Sequence, residues 1–378
     1  MNMTPPVSSP VSRRRFLGSI MVGSGLLLLP RWSRAVESST PSKKLGVALA
    51  GLGNYSTHQL GPALRQTSHC RLTGVITGDR AKGKKWARDY GFPEKNVFSY
   101  DTMAQLAGSS DIDVVYVVTP NGLHAEHTIA AAKSGKHVIC EKPMAVSVAE
   151  CDAMIAACKA AGVRLMIGYR LHYEPNTVEL IRLARDKDLG AFMRMEGANG
   201  FRMTSPKSAS NWHADKKLAG GGPLMDMGVY VIQAACMAKV EAAPTAITAR
   251  FGPVRRPEVF AEIEEFVSWE MEFSDGAKAT GLATYDENVS RFRAESDNGW
   301  AQLGPPAFYY DTPVLTTSRG RIRLASVNHQ VAQLDGMALE LLTGSPSLAP
   351  GEMGRRDMAI IEAIYSAAKS GQRTSVRS

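Results

Sequence analysis

Three side chains of this sequence have the types and settings needed to move a proton on and off an oxygen atom. Lys142 stands in Glu141-Lys142-Pro143-Met144, directly after an apolar run that ends at Cys140. The proline restricts the backbone there and admits a cis bond, so the ammonium is held at a strand end. Asp226 and Tyr230 follow Gly220-Gly221-Gly222 and lie four residues apart. At helical spacing they share one face, and consecutive glycines let a ligand or another chain segment come close. A carboxylate and a phenol so placed suit hydrogen bonding to hydroxyl groups and general acid–base chemistry. Burial and nearby cations would lower the Lys142 pKa into a range useful for proton handling. Each residue also has a plainer reading, as a turn lysine, a helix N-terminal acid and a buried tyrosine.

The elements that must position these groups are legible upstream. Leu45 to Ala50 reads as a buried strand running into Gly51-Leu52-Gly53-Asn54-Tyr55-Ser56, with a helix from Gln59 to Gln66 that Gly61-Pro62 kinks or delays. Strand, glycine turn and helix form a dinucleotide-binding opening. Gly51 allows the tight turn, Gly53 admits a pyrophosphate, and the helix N-terminus offers free N–H groups. Ser56 replaces the third glycine of the usual pattern. Further strands are expected at Leu72–Ile76, Asp113–Val118, Lys136–Cys140 and Arg164–Gly168, with helices near His124–Ser134 and Val146–Ala161. This alternation predicts a doubly wound parallel sheet, with ligands beyond the carboxyl ends of its strands. Thr119, Asn121, Glu141, Lys142, Tyr169 and Arg170 all occupy such ends.

The second strand ends at Thr77-Gly78-Asp79-Arg80, where an acidic residue would grip the ribose of NAD. A hydroxyl at Thr77 followed by Arg80 and Lys82 suits a 2′-phosphate, which predicts NADP over NAD, although Asp79 stands two residues past the strand end. Lys84 reads as a solvent-facing helix charge.

The chain has 378 residues, 44% hydrophobic and 21% charged, room for two globular domains. Arg13, Arg14, Arg15, Arg31 and Arg34 supply five charges in a segment without acids; subtracting them from the net +8 leaves +3. So small and scattered an excess argues against a nucleic-acid partner. Five cysteines, an odd number with no C-x-x-C pair, predict free thiols.

The N-terminus reads as an address. Ser12-Arg13-Arg14-Arg15-Phe16-Leu17 is a twin-arginine pattern, followed by an apolar run from Gly18 to Leu29 and small residues up to Ala35. That run is shorter than the roughly 20 residues of a membrane span. Residues 1–35 are therefore expected to be an export signal read by the twin-arginine translocation machinery and cleaved near Ala35, leaving the mature protein periplasmic or otherwise exported. A retained anchor is the other reading. Free thiols suit a protein that folds before crossing the membrane.

Six motifs then stand in one order: Ala50-Gly51-Leu52-Gly53; Thr119-Pro120-Asn121 with His124; Gly135-Lys136-His137-Val138; Glu141-Lys142-Pro143-Met144; Gly168-Tyr169-Arg170; and Ala219-Gly220-Gly221-Gly222 with Asp226 and Tyr230. That order resembles the glucose–fructose oxidoreductase/inositol dehydrogenase/rhizopine-catabolism (Gfo/Idh/MocA) family from about Lys44 to Arg373, and most of all its glucose–fructose oxidoreductase branch. The resemblance implies an N-terminal Rossmann domain (45–168) after a short arm (36–44). It also implies a C-terminal α/β domain (169–378) with a large open, mostly antiparallel sheet that supports a homodimer or homotetramer. The C-terminal helix would pack back on the Rossmann domain. Strand-like runs at Phe192–Ala198, Ala246–Phe251, Phe266–Phe273, Ala277–Tyr285 and Gly320–Leu324 fit that sheet.

By resemblance Lys142 and Tyr230 form the catalytic pair, with Asp226 orienting a sugar. Gly51, Gly53, Asn54, Tyr55, Thr77, Arg80, Lys82, Thr119, Pro120, Asn121, His124, Glu141, Lys142, Tyr169 and Arg170 hold the cofactor. Lys142, Arg170, His172, Asp226 and Tyr230 meet the substrate. The implied activity is a sugar oxidoreductase that passes hydride from an aldose, through tightly bound NADP, to a second sugar. A plain NAD(P)-dependent sugar dehydrogenase and an exported NAD-dependent glycosidase are the alternatives. Trp212-His213 stands where relatives usually show Trp-Arg, the arm is short for this branch, and His172, Tyr173, His213 and Tyr310 do not identify a sugar by inspection.

Overall fold

The computed structural model describes residues 43–205, 211–240, 242–304 and 313–376. The expected signal (1–35), most of the arm and Tyr310 lie outside the described residues. The first sheet has six strands: β1 (Leu45–Ala50), β2 (Cys70–Ile76), β3 (Val97–Phe98), β4 (Val114–Val117), β5 (His137–Cys140) and β6 (Leu165–Ile167). All are parallel, in the order β3-β2-β1-β4-β5-β6. All six residues of β1 are buried, as a central strand covered on both faces requires. The strand order reverses between β1 and β4, so a crevice opens beyond their carboxyl ends, where Gly51 and Thr119 follow.

Helices α1 (Gly61–Leu64), α2 (Arg80–Tyr90), α3 (His124–Lys133) and α4 (Val148–Ala160) belong to this half. The first begins earlier than the sequence suggests. A π-helical turn, Ser56–Leu60, precedes α1. Pro62 has no N–H to donate and its ring crowds the preceding turn, so the chain winds wider before it.

The second half holds α5 (Pro175–Asp186), α6 (Lys216–Ala219), α7 (Val229–Ala238), α8 (His329–Thr343) and α9 (Gly351–Ser370). Its strands are β7 (Arg194–Gly200), β8 (Pro244–Phe251), β9 (Phe266–Phe273), β10 (Lys278–Thr284), β11 (Val289–Ser296), β12 (Gly299–Leu303), β13 (Leu315–Thr317), β14 (Gly320–Arg321) and β15 (Thr374–Ser375). They form one nine-stranded sheet, β14-β13-β12-β11-β7-β10-β9-β8-β15, in which only the β7–β10 pair is parallel. Burial alternates along β9, with Val267, Trp269, Met271 and Phe273 inside, so one face is covered and the other open. Every residue of α7 is buried, since it packs on β7, α5 and α9.

Strands β11 and β12 carry a polar outer face, with Arg291, Arg293 and Glu295, and the sequence reading passed over them. The expected strand at 320–324 shrinks to Gly320–Arg321, an exposed edge pair with a partner on one side only. Helix α9 packs on α4, β6 and β8. Ala349, just ahead of it, accepts from Ile167 N at 2.8 Å, and Arg355 pairs with Asp152 at 2.6 Å. All five cysteines are free and buried.

Candidate active site

At the glycine turn Gly51 has φ +104°, and a Cβ there would meet the Val118 carbonyl oxygen at 2.7 Å, so only glycine fits. At Gly53 the same position is open space, the clearance a phosphate backbone needs. Ser56, in the third-glycine position, donates from Oγ to Gly51 O at 2.6 Å and closes the turn with its side chain.

A cavity of about 440 Å³ starts here. Its lining brings Gly53, Asn54, Tyr55, Thr119, Asn121 and His124 together with Glu141, Lys142, Arg170, Trp212, His213, Asp226 and Tyr230. Asn121 Nδ2 donates to Ala219 O at 2.8 Å, tying the loop after β4 to the helix before the glycine run. His124 is buried with Nδ1 2.9 Å from Pro143 O and Nε2 2.8 Å from Thr119 O, which pins the two loops together. Burial holds its pKa down to about 4, even though two carbonyl acceptors favour the imidazolium.

The 2′-phosphate candidates stand apart from this cavity. Thr77 Oγ1 accepts from Asp79 N at 3.2 Å, and Asp79 caps α2 by accepting from Lys82 N at 2.9 Å. Arg80 opens α2 exposed, and the Lys82 ammonium donates to Leu52 O of the glycine turn. Asp79 is thus occupied as a helix cap. Lys84 pairs with Glu94 at 2.9 Å on the surface, as a solvent-facing charge would.

The lysine and the two residues beyond the glycine run meet in the same cavity. The Lys142–Pro143 bond is cis. Lys142 Nζ donates to Asp226 Oδ1 at 3.2 Å and to Asp226 O at 2.9 Å, and lies 4.8 Å from the Tyr230 ring centre. Arg170 Nη1 donates to the Tyr230 oxygen at 2.6 Å. Asp226 sits in a π-helical turn, Leu224–Gly228, rather than in a regular α-helix, and Tyr230 in the first turn of α7. The widened turn still delivers both side chains to one cavity.

The expected depression of the Lys142 pKa is not what the structure gives. Burial works toward it, but the Tyr230 oxygen, Asp226 and Glu141 outweigh burial and Arg170 and hold the ammonium above the ordinary lysine range. Burial alone would raise Asp226, yet Lys142, His213 and the Tyr285 hydroxyl keep it below the usual aspartate value. The pair is an ion pair. Glu141 is pulled up by burial; its Oε1 accepts from Tyr116 at 2.6 Å and its Oε2 from Lys142 N at 3.1 Å. Its carboxylate is therefore already engaged with protein donors.

Tyr169 and His172, expected at the nicotinamide end and on the substrate, do not line the cavity. The 3₁₀ turn Arg170–Tyr173 sends successive side chains to different faces. Arg170 faces Tyr230, whereas His172 Nε2 meets Gln233 Oε1 at 3.0 Å, and Gln233 in turn binds Asp357 of α9. Tyr173 donates to Glu340 at 2.8 Å.

The sequence reading missed Tyr285, whose hydroxyl donates to Asp226 Oδ2 at 3.0 Å from a fully buried position. It also missed Phe201 and Met227 on the cavity wall. A tyrosine at the end of an apolar strand carries no local mark of such a role.

A family model described as "Oxidoreductase family, NAD-binding Rossmann fold" matches residues 45–169, and one described as "GFO/IDH/MocA C-terminal domain" matches 177–301. Among solved structures, the aldose–aldose oxidoreductase of Caulobacter crescentus, complexed with glycerol, is 38% identical with a TM-score of 0.84, over 88% of this chain and 100% of that one. The D-xylose 1-dehydrogenase [NADP(+)] of Haloarcula marismortui is 26% identical over 350 residues, 90% of this chain and 94% of the relative. The D-xylose 1-dehydrogenase (NADP(+)) 2 of Haloferax volcanii is 28% identical over 334 residues, 85% and 96% respectively.

Proposed function

Because the chain belongs to the GFO/IDH/MocA oxidoreductase family, we propose that it is an NADP-dependent sugar oxidoreductase that oxidises the C1 carbinol of an aldose to its lactone and reduces a second sugar to its alditol. The observation that carries this reading is a single cavity lined both by the glycine turn and by the Lys142–Asp226–Tyr230–Arg170 cluster. The open space at Gly53 and the positive φ at Gly51 fit a dinucleotide pyrophosphate. Thr77, Arg80 and Lys82 would hold the 2′-phosphate, and two relatives are named for NADP. The nicotinamide, when bound, supplies the hydride acceptor and donor.

The protein's own groups do the rest. The Lys142 ammonium donates to the substrate oxygen and stabilises the negative charge that develops there. Tyr230, oriented by the Arg170 guanidinium, gives a proton to a carbonyl oxygen on reduction and takes one back on oxidation. Asp226, itself fixed by Tyr285, holds Lys142 in place and orients hydroxyls. Phe201, Trp212 and Met227 keep water from that side. The net reaction balances: one aldose loses two hydrogens, the other gains them.

The twin-arginine pattern supports export. An enzyme outside the cytoplasm, away from the NADP pool, needs its cofactor retained and regenerated in place, and the similarity to an aldose–aldose oxidoreductase supports that scheme. Incubating the purified mature protein with aldoses and no added cofactor tests it. Equal amounts of lactone and alditol are expected; their absence, with linear NADPH formation on added NADP, would leave the plain dehydrogenase that the xylose dehydrogenase relatives favour. Native mass spectrometry reads retained NADP and a dimer or tetramer in one measurement.

A further inference from the structure

Lys142, Asp226, Tyr230, Arg170 and Tyr285 are largely engaged with one another. Two other lining residues differ. Trp212 and His213 form a 3₁₀ turn, and their rings stack on each other with centroids 3.9 Å apart at 22°. Both line the cavity beside Phe201 and Met227, and both are half-buried. Among the described residues, neither the indole nitrogen nor either imidazole nitrogen has a hydrogen-bond partner. The imidazole nonetheless lies close enough to Asp226 and Lys142 to feel both charges, in the cavity that all three line.

The turn has a firm base. Asp215 caps α6 by accepting from Lys217 N at 2.8 Å and Leu218 N at 3.2 Å, Lys216 N donates to Glu262 Oε2 at 3.2 Å, and Ala219 O holds Asn121. Uncommitted polar atoms on an aromatic platform, in the cavity that also holds the reacting cluster, are the makings of a recognition surface.

We propose that Trp212 and His213 form the sugar-discriminating wall: the aromatic side takes the apolar face of a sugar ring, and the His213 nitrogens read a hydroxyl away from the oxidised carbon. This rests on the sugar oxidoreductase reading above. Burial disfavours the imidazolium, so the ring carries one donor and one acceptor. A hydroxyl in the matching configuration satisfies them, and its epimer leaves them unpaired. A site built to bond a hydroxyl separates ligands far better than one built on shape alone.

The test is kcat/KM on aldoses that differ at one carbon (xylose, arabinose, ribose and lyxose; glucose, galactose and mannose) for the parent, His213→Phe and His213→Gln. Phenylalanine keeps the stack and removes the nitrogens; glutamine keeps a donor and an acceptor and removes the ring. His213→Phe is expected to lower kcat/KM for the preferred aldose by about 10- to 100-fold, chiefly through KM, and to bring the epimers within a factor of about 3 of each other. His213→Gln is expected to restore part of the ranking. NADP affinity, read by fluorescence titration, is expected to stay within about twofold and shows that the variants are folded. Unchanged epimer ratios in His213→Phe, whether or not the absolute rates fall, would overturn the assignment while leaving the oxidoreductase reading standing. A parent that turns over no aldose would overturn both.

Discussion

Replacing Asp226 by Asn tests the electrostatic account of the lysine. The carboxylate oxygen lies 3.2 Å from Lys142 Nζ, with side-chain exposures of 20% and 14%. At an effective dielectric of about 20, two unit charges at that separation attract by about 5 kcal/mol. Asparagine keeps the shape and can still accept from Lys142 through its single oxygen, while its amide nitrogen can only donate to the Tyr285 oxygen; the two partly exposed groups also feel solvent, so only part of that attraction disappears. A loss of about 1.5–3 kcal/mol is expected, equivalent to moving the lysine titration down by about one to two pH units. The sign follows from the surroundings: burial and Arg170 both disfavour the ammonium and would then be opposed only by Glu141 and Tyr230. In kcat/KM against pH, measured with the best aldose, activity on the alkaline side should fall earlier than in the parent by that amount. At neutral pH kcat/KM should drop about 10-fold or more as the ammonium loses its fixed position. An alkaline limb within about 0.3 pH unit of the parent's, in a variant that still binds NADP, would refute the claim that Asp226 holds the proton on Lys142.

Other expectations rest on separate contacts. Lys142→Met should lower kcat/KM by about 10²–10⁴-fold with NADP titration retained; a variant within threefold of the parent would remove the lysine from the chemistry. Tyr285→Phe deletes a buried hydroxyl from the Asp226 carboxylate, and urea unfolding should show a loss of about 1.5–3 kcal/mol. His124 is held near 4 in the folded chain against about 6.5 when unfolded, so the unfolded state takes up the proton first as pH falls. Its contribution should be fully present above about pH 6.5, be lost down to about pH 4 and level off below, on the order of 3 kcal/mol in all. His124→Gln should flatten that part of the parent's stability curve, and an unchanged slope between pH 6.5 and 4 would show that another group is responsible.

Local chemistry alone marked the turn and five strands of the first sheet, and missed the two-residue Val97–Phe98 strand. Six consecutive apolar residues at Leu45–Ala50 ahead of Gly51-Leu52-Gly53 leave little choice but a buried strand entering a glycine turn, because only glycine tolerates the backbone approach found at Gly51. Lys142 before a proline, and a carboxylate and a phenol behind a glycine run, were visible as reactive types for the same reason: their meaning is carried by immediate neighbours. Contacts between residues distant in sequence were not visible in local chemistry, although the family resemblance already grouped Lys142, Arg170, Asp226 and Tyr230 at one site. Tyr285 reaches Asp226 across 59 residues, and Arg170 reaches Tyr230 across 60. The face that His172 presents depends on a 3₁₀ turn and on Gln233 and Asp357, far along the chain. The protonation of Lys142 belongs to this second class, since a pKa sums the charges and the burial that folding brings together, and it runs opposite to what the lysine's local setting suggested. Side-chain identity thus named the reactive groups, and the assembled cavity decided which of them touch and in what charge state.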